Sequence, residues 1–423
     1  ILSKVEQEYD RGRYWPEPLI QINPNYKRQS TVQQLAHEGM LHASCSHIFQ
    51  TGKTEGKAAD LHLYVHQLQA LAKAQKQQSY VVTTGTGSGK SLAFFVPIID
   101  RILKAKAADP QKRTRAIVIY PMNALANSQL EELDKFLHGY PDDQKPFTVA
   151  RYTGQESDAD RKQIADNPPD ILLTNFMMLE LILTRFEDVD RRVVEHCQGL
   201  EFLVLDELHT YRGRQGADVA LLVRRLRERL QAHQLVCIGT SATMSSTGTQ
   251  ADRNQTVASV ASLLFGAQIT EHDVIGETLE RVTNPAKDIE AVKSLLKPAL
   301  LKESYHWPDF ASFSDDPLAV WVELSLGIEL PLNEPPRRAR PVTLGDAAKR
   351  LADDAQCTVE DAHAGLQRFL VAAHDVKTPQ GRAPFAFKLH QFISGPGKVL
   401  ATLEPEGVRH ITLDAQRYAP GRQ

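Results

Sequence analysis

The stretch FLVLDELHTYRGR, at residues 202–214, joins a buried-strand pattern to an acidic ending. The four apolar residues from Phe202 to Leu205 form a continuous run, as expected for a strand that is covered on both faces in a parallel sheet. Asp206 and Glu207 follow at once. In an open α/β sheet the carboxyl ends of the strands border the crevice where ligands bind. The pattern therefore predicts an α/β fold with acidic side chains at a ligand-binding edge.

Length and composition limit the class of protein. The chain has 423 residues, 42% hydrophobic and 24% charged, which is typical of soluble globular proteins with two or three domains. The net charge of −3 means that a polyanion must be bound by a local patch. The cysteines form no CxxC pair, which favours a reducing compartment. Without a membrane span or signal peptide, we expect a cytoplasmic protein with no membrane partner; because the chain starts at Ile1, we also expect a preceding segment.

Short apolar runs alternate with helical stretches in the first two thirds of the chain, which indicates βαβ units and a doubly wound parallel sheet. The candidate strands are residues 80–84, 115–120, 147–151, 170–174, 202–206 and 235–240. We place this domain at residues 56–266. Residues 1–55 lack the rhythm and are predicted to be an N-terminal extension.

The remainder of the chain is predicted to be a mainly helical accessory region. Residues 267–340 read as a helical connector that ends in the linker NEPPRRARP. Two helices, at 343–354 and 358–374, each open with a threonine that can cap them. With the following PFAFKLHQFISG they suit a small winged-helix-like module at 341–395. Residues 396–423 are expected to begin a further β-rich segment.

The segment TTGTGSGKS, at residues 83–91, follows the first strand and has the pattern of a phosphate-binding loop. Its glycines allow backbone N–H groups to surround phosphate oxygens, Lys90 can reach the β and γ phosphates, and Ser91 can bind Mg²⁺. Thr84 stands where the strict pattern has glycine. The predicted nucleotide-binding residues of the loop are Thr84, Gly85, Thr86, Gly87, Ser88, Gly89, Lys90 and Ser91. A glycine-rich helix cap is the alternative, and TGKT at 51–54 is interpreted as a loop because no strand precedes it.

The two acids after the strand have separate expected tasks. Asp206 is placed to hold Mg²⁺ through water, and Glu207 to orient or deprotonate the water that attacks the γ-phosphate. An acidic strand-end turn is the alternative, but it is disfavoured beside a phosphate loop.

DELH together with TTGTGSGKS resembles superfamily 2 helicases of the DExH type. Further segments resemble the motifs of that family in the family's order: HQLQAL (66–71), PMNALANSQ (121–129), YTG (152–154), TNFMML (174–179) and SAT (241–243). Through its HTYRG continuation the chain is most similar to bacterial DNA helicases of the Lhr and MrfA types, which act in repair and phage defence.

The resemblance implies a RecA-like motor domain that uses ATP and Mg²⁺. It implies that Gln67 reads the adenine edge and that His209 relays the γ-phosphate state to the coupling residues Ser241, Ala242 and Thr243. Polar strand-end loops are the expected contacts to nucleic-acid phosphates, with no base preference; a strand-end threonine can equally be a helix cap. The predicted contact residues are Asn123, Ala124, Thr153, Gly154, Thr174 and Asn175. The arginines in 219–230 are expected to form a solvated face rather than a DNA-binding stripe.

The family also has a second RecA-like domain that supplies arginine fingers. Nothing in residues 267–423 matches its motif, since QRYAPGRQ at the end is too short. We expect that domain beyond Gln423 or on another chain, within a multi-subunit defence or repair complex.

The sequence thus favours a subunit of an ATP-dependent helicase or translocase, with DNA preferred over RNA and 3′ to 5′ movement expected from the relatives. Two alternatives stay open. An RNA helicase or remodeller shares every motif. A non-motor ATP-binding scaffold is the other, although the intact Lys90, Asp206 and Glu207 count against it.

Overall fold

The largest feature of the computed structural model is a sheet of seven parallel strands that includes Phe202–Leu205. The structure describes residues 6, 17–85, 87–242, 249–332, 334–391, 399–405 and 407–412. The chain divides into two compact units, one of Tyr26–Thr278 and one of Ile1–Asn25 with Leu279–Gln423.

The strands are short outside the large sheet. They are β1 (Leu19–Asn23), β2 (Asn25–Tyr26), β3 (Arg28–Thr31), β4 (Gln50–Thr51), β5 (Ala59–Asp60), β6 (His62–Tyr64), β7 (Tyr80–Thr83), β8 (Ala116–Tyr120), β9 (Val149–Tyr152), β10 (Ile171–Asn175), β11 (Phe202–Leu205), β12 (Val236–Ser241), β13 (Val274–Gly276), β14 (Leu279–Glu280), β15 (Ile328–Glu329), β16 (Arg337–Arg338), β17 (Val342–Thr343), β18 (Ala386–His390), β19 (Leu400–Ala401) and β20 (Ile411–Thr412).

The longer helices lie between the strands of the large sheet and in the second unit. The α-helices are α1 (Val32–His37), α2 (Cys45–Ile48), α3 (Val65–Gln75), α4 (Leu92–Ala108), α5 (Asn123–Leu137), α6 (Asp158–Asp166), α7 (Phe176–Thr184), α8 (Asp188–His196), α9 (Gly213–Arg229), α10 (Gln250–Phe265), α11 (Ile289–Leu300), α12 (Phe310–Ser314), α13 (Pro317–Val322), α14 (Leu344–Ala355) and α15 (Val359–His374).

The seven strands are ordered β13-β7-β12-β11-β8-β10-β9, and every pair is parallel. Successive residues of a strand enter opposite cores: Val82 and Val204 pack into one hydrophobic cluster, and Val81 and Leu203 into the other. Helices cover both clusters, so the predicted RecA-like doubly wound sheet is confirmed. All six predicted strands are present. The seventh, β13, was missed because three residues are too few to show a period.

The segment before the sheet is not a separate extension. Six apolar side chains from residues 26–55 are buried in the same core as α4 and β7: Val32, Leu35, Leu41, Cys45, Ile48 and Phe49. The backbone N–H of His42 also donates to Asp100 Oδ1 of α4 at 2.6 Å. These elements are too short to show a period in the sequence. The unit likewise extends past residue 266, because β13 pairs with β7.

The TGKT segment is a turn rather than a phosphate loop, but the expectation that no strand precedes it is wrong, because Thr51 is the last residue of β4. Gly52 has φ of +68°, and a 3₁₀ turn follows it at Lys53–Glu55. The Lys53 ammonium donates to the carbonyl oxygens of His47 at 3.0 Å and Phe136 at 2.8 Å. Its charge is therefore used inside the fold.

The second unit has its own core and a three-stranded antiparallel sheet of order β17-β1-β18. The two predicted helices are present as α14 and α15, with Thr343 and Thr358 as their N-caps. Buried Trp321 donates from Nε1 to Asp354 Oδ2 at 2.8 Å. The strand β18 pairs with β1, not with a neighbouring hairpin strand, and residues 392–398 lie outside the described residues. The winged-helix-like interpretation and the domain limits within residues 267–423 stay predictions; the end residues QRYAPGRQ also lie outside the described part.

The predicted solvated face of α9 is confirmed for Arg224, Arg225 and Arg229, which are exposed, although several of the arginines also contact neighbouring elements. The apolar face predicted for 219–230 is buried. Arg224 donates to the carbonyl of Leu263 at 3.1 Å, and Arg227 to that of Phe265 at 3.1 Å, at the C-terminal end of α10, where cations are favoured. Arg225 pairs with Glu180. Among the described residues, no helix is long and apolar enough to cross a membrane.

Gly239, in the middle of β12, allows close packing that an added methyl group would disturb. An ideal Cβ there would lie 2.4 Å from Leu208 Cδ1 and 3.1 Å from Phe265 Cζ. We expect Gly239→Ala to lower the free energy of unfolding by about 1–3 kcal/mol, as overpacking of a core does. The measurement is urea denaturation.

Gly276→Ala is the matched control, because Gly276 is also a strand residue of this sheet but has no atom within 4 Å of its ideal Cβ. We expect its effect to stay within about 0.5 kcal/mol. Equal losses for the two variants would contradict the packing argument.

Candidate active site

Three predicted motifs meet at one edge of the sheet. The phosphate loop follows β7, the DELH acids follow β11, and Ser241 ends β12, which lies between those strands. Because the strands are parallel, their carboxyl ends meet at the same edge. Lys90 Nζ lies 3.4 Å from Glu207 Oε1, so the loop and the acid pair are in direct contact.

The phosphate loop has left-handed backbone at two of its glycines. Gly87 has φ of +79° and Gly89 has φ of +67°, a region that favours glycine. Inside the loop, Thr84 Oγ1 and Ser88 Oγ are 2.6 Å apart. Ser91 lies at the N-cap of α4, so the loop ends at the positive end of a 17-residue helix. Thr86 lies outside the described residues.

Gln67 is held against this loop. Its Nε2 donates to the Gly89 carbonyl at 2.9 Å, and its Oε1 accepts from the Tyr64 backbone N–H at 2.8 Å. The side chain is 2% exposed. Both ends of the amide are therefore engaged, and the adenine contact predicted for Gln67 cannot form in this conformation without breaking these bonds.

Two residues that sequence analysis missed also hold the loop. His66 Nε2 lies 3.0 Å from the Ser88 carbonyl oxygen, and only a protonated Nε2 can donate to it. Burial lowers the pKa of His66 to about 4, so the ring is neutral near pH 7. Glu277 accepts from the Gly85 N–H at 3.1 Å. His66 adjoins Gln67 in the sequence, which was an available signal; Glu277 lies 192 residues from Gly85 and gave none.

Thr240 fixes both acids. Its hydroxyl donates to Asp206 Oδ1 and accepts from the Glu207 backbone N–H at 3.1 Å. Glu207 has φ of +53°, which is uncommon for a residue other than glycine. This backbone turn directs Glu207 back toward Lys90. Strain of this kind persists where the surroundings hold it in place, and it clusters at functional sites.

The surroundings of Asp206 disfavour its charge. Burial raises the pKa of Asp206 above the ordinary carboxyl value; the hydrogen bond from Thr240 opposes this, and the charge of Glu207 adds to it. The pKa of Tyr120 and of Tyr211 is also raised, by burial and by the charge of Asp206. Such a site can accept a divalent cation, because the cation would offset the cost of the buried carboxylate.

His209 lies between the acid pair and the predicted coupling segment. Its Nδ1 is 3.2 Å from Glu207 Oε2 and 3.3 Å from Ser241 Oγ, and Ser241 Oγ donates to the Ala242 carbonyl at 2.7 Å. This position allows the predicted relay, whose role stays a prediction. Thr243 lies outside the described residues.

The predicted nucleic-acid residues lie at the other half of the same edge, where β8, β10 and β9 end. Asn123 and Ala124 begin α5, and the first N–H groups of a helix have no acceptor within it. Asn175 caps α7 and donates from Nδ2 to Asn123 Oδ1 at 2.7 Å and to the Thr153 carbonyl at 3.0 Å. The loops are thus brought together.

Three of these predicted phosphate contacts need correction. Thr174 is 0% exposed, and its hydroxyl donates to the Tyr152 carbonyl at 2.6 Å, so it cannot reach a ligand. The N–H groups of Thr153 and Gly154 donate to the carboxylate of Glu156, at 2.7 Å and 2.9 Å. They are therefore already paired, as strand-end turns commonly are.

Among the described residues, no group of three or more His, Cys, Asp or Glu side chains is placed to hold a metal ion by itself. The donor set near Asp206 fits Mg²⁺ in another way, because that ion usually takes one or two carboxylates together with phosphate oxygens and waters.

Comparison with known proteins agrees with this site. The DEAD/DEAH box helicase family matches residues 64–251. The uncharacterized ATP-dependent helicase YprA of Bacillus subtilis (strain 168) is 34% identical over 186 residues, covering 44% of this chain and 23% of that protein. The Lhr helicase/uracil glycosylase of Escherichia coli (strain K12) is 32% identical over 186 residues, covering 41% of this chain and 12% of that protein. A crystal structure of the DUF1998 helicase MrfA bound to DNA aligns with a TM-score of 0.45 and 23% identity, covering 71% of this chain and 38% of that one.

The chain spans less than a quarter of the length of either curated relative. The match includes the phosphate loop, the DELH acids and Ser241, which the sheet places at one edge. The unit of Tyr26–Thr278 therefore contains a region, residues 64–251, that is similar to the DEAD/DEAH box helicase domain.

Proposed function

We propose that this chain is the ATP-binding motor part of an ATP-dependent helicase or translocase that acts on DNA. The observation that carries the proposal is the contact of Lys90 with Glu207 at 3.4 Å, which joins the phosphate loop to the acid pair. A phosphate group that enters between them meets a cation on one side and a carboxylate that can orient water on the other. This is the arrangement that phosphoryl transfer to water requires.

The γ-phosphate would replace Glu207 as the partner of Lys90. The Lys90 ammonium then neutralises the β and γ phosphates, and the N-terminal end of α4 adds its partial positive charge. Glu207, released from the lysine, can accept a hydrogen bond from the attacking water. The present contact therefore keeps both groups in place until nucleotide arrives.

Asp206 and Ser91 are the residues that would hold Mg²⁺. Bound there, the ion would supply positive charge to offset the negative charge that develops on the phosphate oxygens. Desolvation raises the pKa of Asp206, whereas the Glu207 side chain is 27% exposed and is paired with Lys90. This difference supports the division of the two acids into metal holding and water activation.

DNA is preferred to RNA because HTYRG after the acids resembles the DNA helicases of repair and phage defence. The two curated relatives are named helicases. The same proposal has four further parts: movement 3′ to 5′, a second RecA-like domain in cis or in trans, a cytoplasmic multi-subunit complex, and a role in repair or defence. An RNA helicase shares the site, and the intact acid pair and lysine disfavour a non-motor scaffold.

Lys90→Ala tests the phosphate site. Hydrogen bonds to charged groups contribute about 1.5–3 kcal/mol, so we expect nucleotide affinity to fall about 10- to 100-fold. The measurement is a titration with a fluorescent ATP analogue in the presence of Mg²⁺. Lys53→Ala, in the GKT sequence of the other loop, is the matched control and should bind as the wild type does. Equal losses in the two variants would disprove the site assignment.

Glu207→Gln should separate binding from hydrolysis. We expect near wild-type nucleotide affinity but DNA-stimulated turnover lower by about 10² to 10⁴, because only the water-orienting group is lost. Phosphate release is measured with the second RecA-like domain present. Loss of binding as severe as that of Lys90→Ala would show that the roles are wrongly divided.

Thr240→Val should move the pH dependence of Mg²⁺-dependent nucleotide binding. The Thr240 hydrogen bond lowers the pKa of Asp206, so its removal raises that pKa further. Mg²⁺ binding needs the ionised form of Asp206, which predominates above the pKa of this residue. Binding is therefore lost as the pH falls through that pKa. In the variant this loss is therefore expected at a higher pH.

Thr114→Val is the control for this experiment, because Thr114 is a buried threonine whose hydroxyl donates to the Pro169 carbonyl at 2.8 Å and does not contact the acid pair. We expect this variant to lose nucleotide binding at the same acidic pH as the wild type. The assignment of Asp206 is wrong if Thr240→Val also loses binding at the wild-type pH.

Nucleic-acid binding should depend on salt and not on base sequence. Contacts to phosphates release counterions, so log affinity is expected to fall linearly with log salt, while single strands of different sequence bind alike. Fluorescence anisotropy with DNA and RNA strands in parallel measures both. Tighter binding and stronger ATPase stimulation by RNA would favour the RNA alternative.

A further inference from the structure

A carboxylate occupies the turn that was predicted to bind phosphate. Glu156 accepts from the N–H groups of Thr153 and Gly154 through Oε2, and from the Thr153 hydroxyl through Oε1 at 3.0 Å. Arg151 Nε donates to the same Oε1 at 2.7 Å. The Glu156 side chain is 5% exposed. Successive N–H groups in a turn form an anion-binding concavity, and here the chain fills it with its own anion.

The charge of Glu156 is maintained in this position. Burial acts to raise its pKa, but the hydrogen bonds from Thr153 and Arg151 outweigh burial and hold the pKa below the ordinary carboxyl value. A carboxylate tethered three residues from its donors, with a guanidinium beside it, is not readily displaced by a phosphate from solution. The turn's N–H groups are therefore structural.

The turn is joined to α5 by two separate routes. In one, the Thr153 carbonyl accepts from Asn175 Nδ2, which also donates to Asn123 Oδ1. In the other, Arg151, held by Glu156, donates from Nη1 to Asn127 Oδ1 of α5. Glu156 thus fixes the turn and one of its two links to the helix that begins at Asn123.

We propose that Glu156 is a positioning residue for nucleic-acid binding, which holds the Thr153–Gly154 turn and Arg151 so that the N-terminal end of α5 is presented to a phosphate of the bound strand. The inference rests on the proposed function. Glu156 contacts no phosphate itself; it acts through Arg151, Asn127 and the turn.

The inference is opposite in sign to simple electrostatics. Removal of a negative charge near a nucleic-acid surface should strengthen binding. If Glu156 positions the loops, replacing one of its carboxylate oxygens by an amide NH2 group leaves two of the four donors without their acceptor and weakens binding despite the favourable change in charge. The sign of the effect therefore separates the two explanations.

The experiment compares Glu156→Gln with Asp158→Asn, by anisotropy of a labelled single-stranded DNA of mixed sequence over a range of salt. Both variants remove one negative charge from the same short segment, where Glu156 lies in the loop after β9 and Asp158 is the first residue of α6. Asp158 has a side chain that is 103% exposed, with Arg161 as its partner at 3.8 Å. We expect Asp158→Asn to bind as tightly as the wild type or slightly tighter. Glu156→Gln should bind about tenfold more weakly, the size of one lost charged hydrogen bond.

Two further readouts separate positioning from general damage. Affinity for the fluorescent ATP analogue should stay at the wild-type level, because β7, β11 and β12 carry the nucleotide site. The slope of log affinity against log salt should become shallower by about 0.7, the value for one lost phosphate contact on a single strand. A general loss of structure would lower both affinities together.

If Glu156→Gln fails to fold, Asn127→Ala tests the same route. This variant removes only the acceptor on α5 to which Arg151 donates. It too should weaken DNA binding and spare nucleotide binding. The inference is overturned if Glu156→Gln binds DNA as tightly as Asp158→Asn, or if Asn127→Ala binds as the wild type does. Absence of DNA binding by the wild type itself would overturn the proposed function, and this inference with it.

Discussion

One hydroxyl group, that of Thr240, sets the geometry on which the acid pair depends. It donates to Asp206 and accepts from the backbone N–H of Glu207, so that it bonds to both acids at once. It can do so because β12 pairs with β11 in parallel register, Gly239 opposite Leu205. The same hydroxyl satisfies the N–H at the Glu207 turn, where φ is +53°. The contact of Glu207 with Lys90 follows from that turn.

The unliganded phosphate loop is held by bonds from the chain itself. Gln67 and His66 bind its carbonyl groups, Glu277 binds the Gly85 N–H, and Glu207 binds Lys90. A bound nucleotide would have to replace Glu207 as the partner of Lys90, so part of the nucleotide's binding energy is used to break this internal contact. The exchange gives a physical route by which occupation of the site changes the position of Glu207, and through Glu207 that of His209.

The sequence was sufficient for what depends on local pattern. Strands β7 and β11 were predicted because continuous apolar runs are readable, and their polar ends followed from the parallel topology. It was insufficient where a partner is distant along the chain. Nothing near Gly85 indicates Glu277, and nothing near residues 26–55 shows that short apolar pieces fill the core beside α4. Thr174 and Gln67 were predicted to contact ligands because of their positions in the sequence. Tertiary packing buries both residues, and the sequence pattern does not show this.

In both halves of the sheet edge, a carboxylate of the chain itself accepts from backbone N–H groups of a loop. At the phosphate loop Glu277 pairs with the N–H of Gly85, and at the Thr153–Gly154 turn Glu156 pairs with two N–H groups. A buried N–H without an acceptor is costly, so a loop shaped for an anion is stable without ligand only if the chain supplies a substitute. A short, enclosed carboxylate such as Glu156 makes that substitution permanent. The groups that remain for ligand are therefore others, such as the N–H groups of Asn123 and Ala124 at the start of α5, and the enclosed carboxylates act by keeping those groups in position.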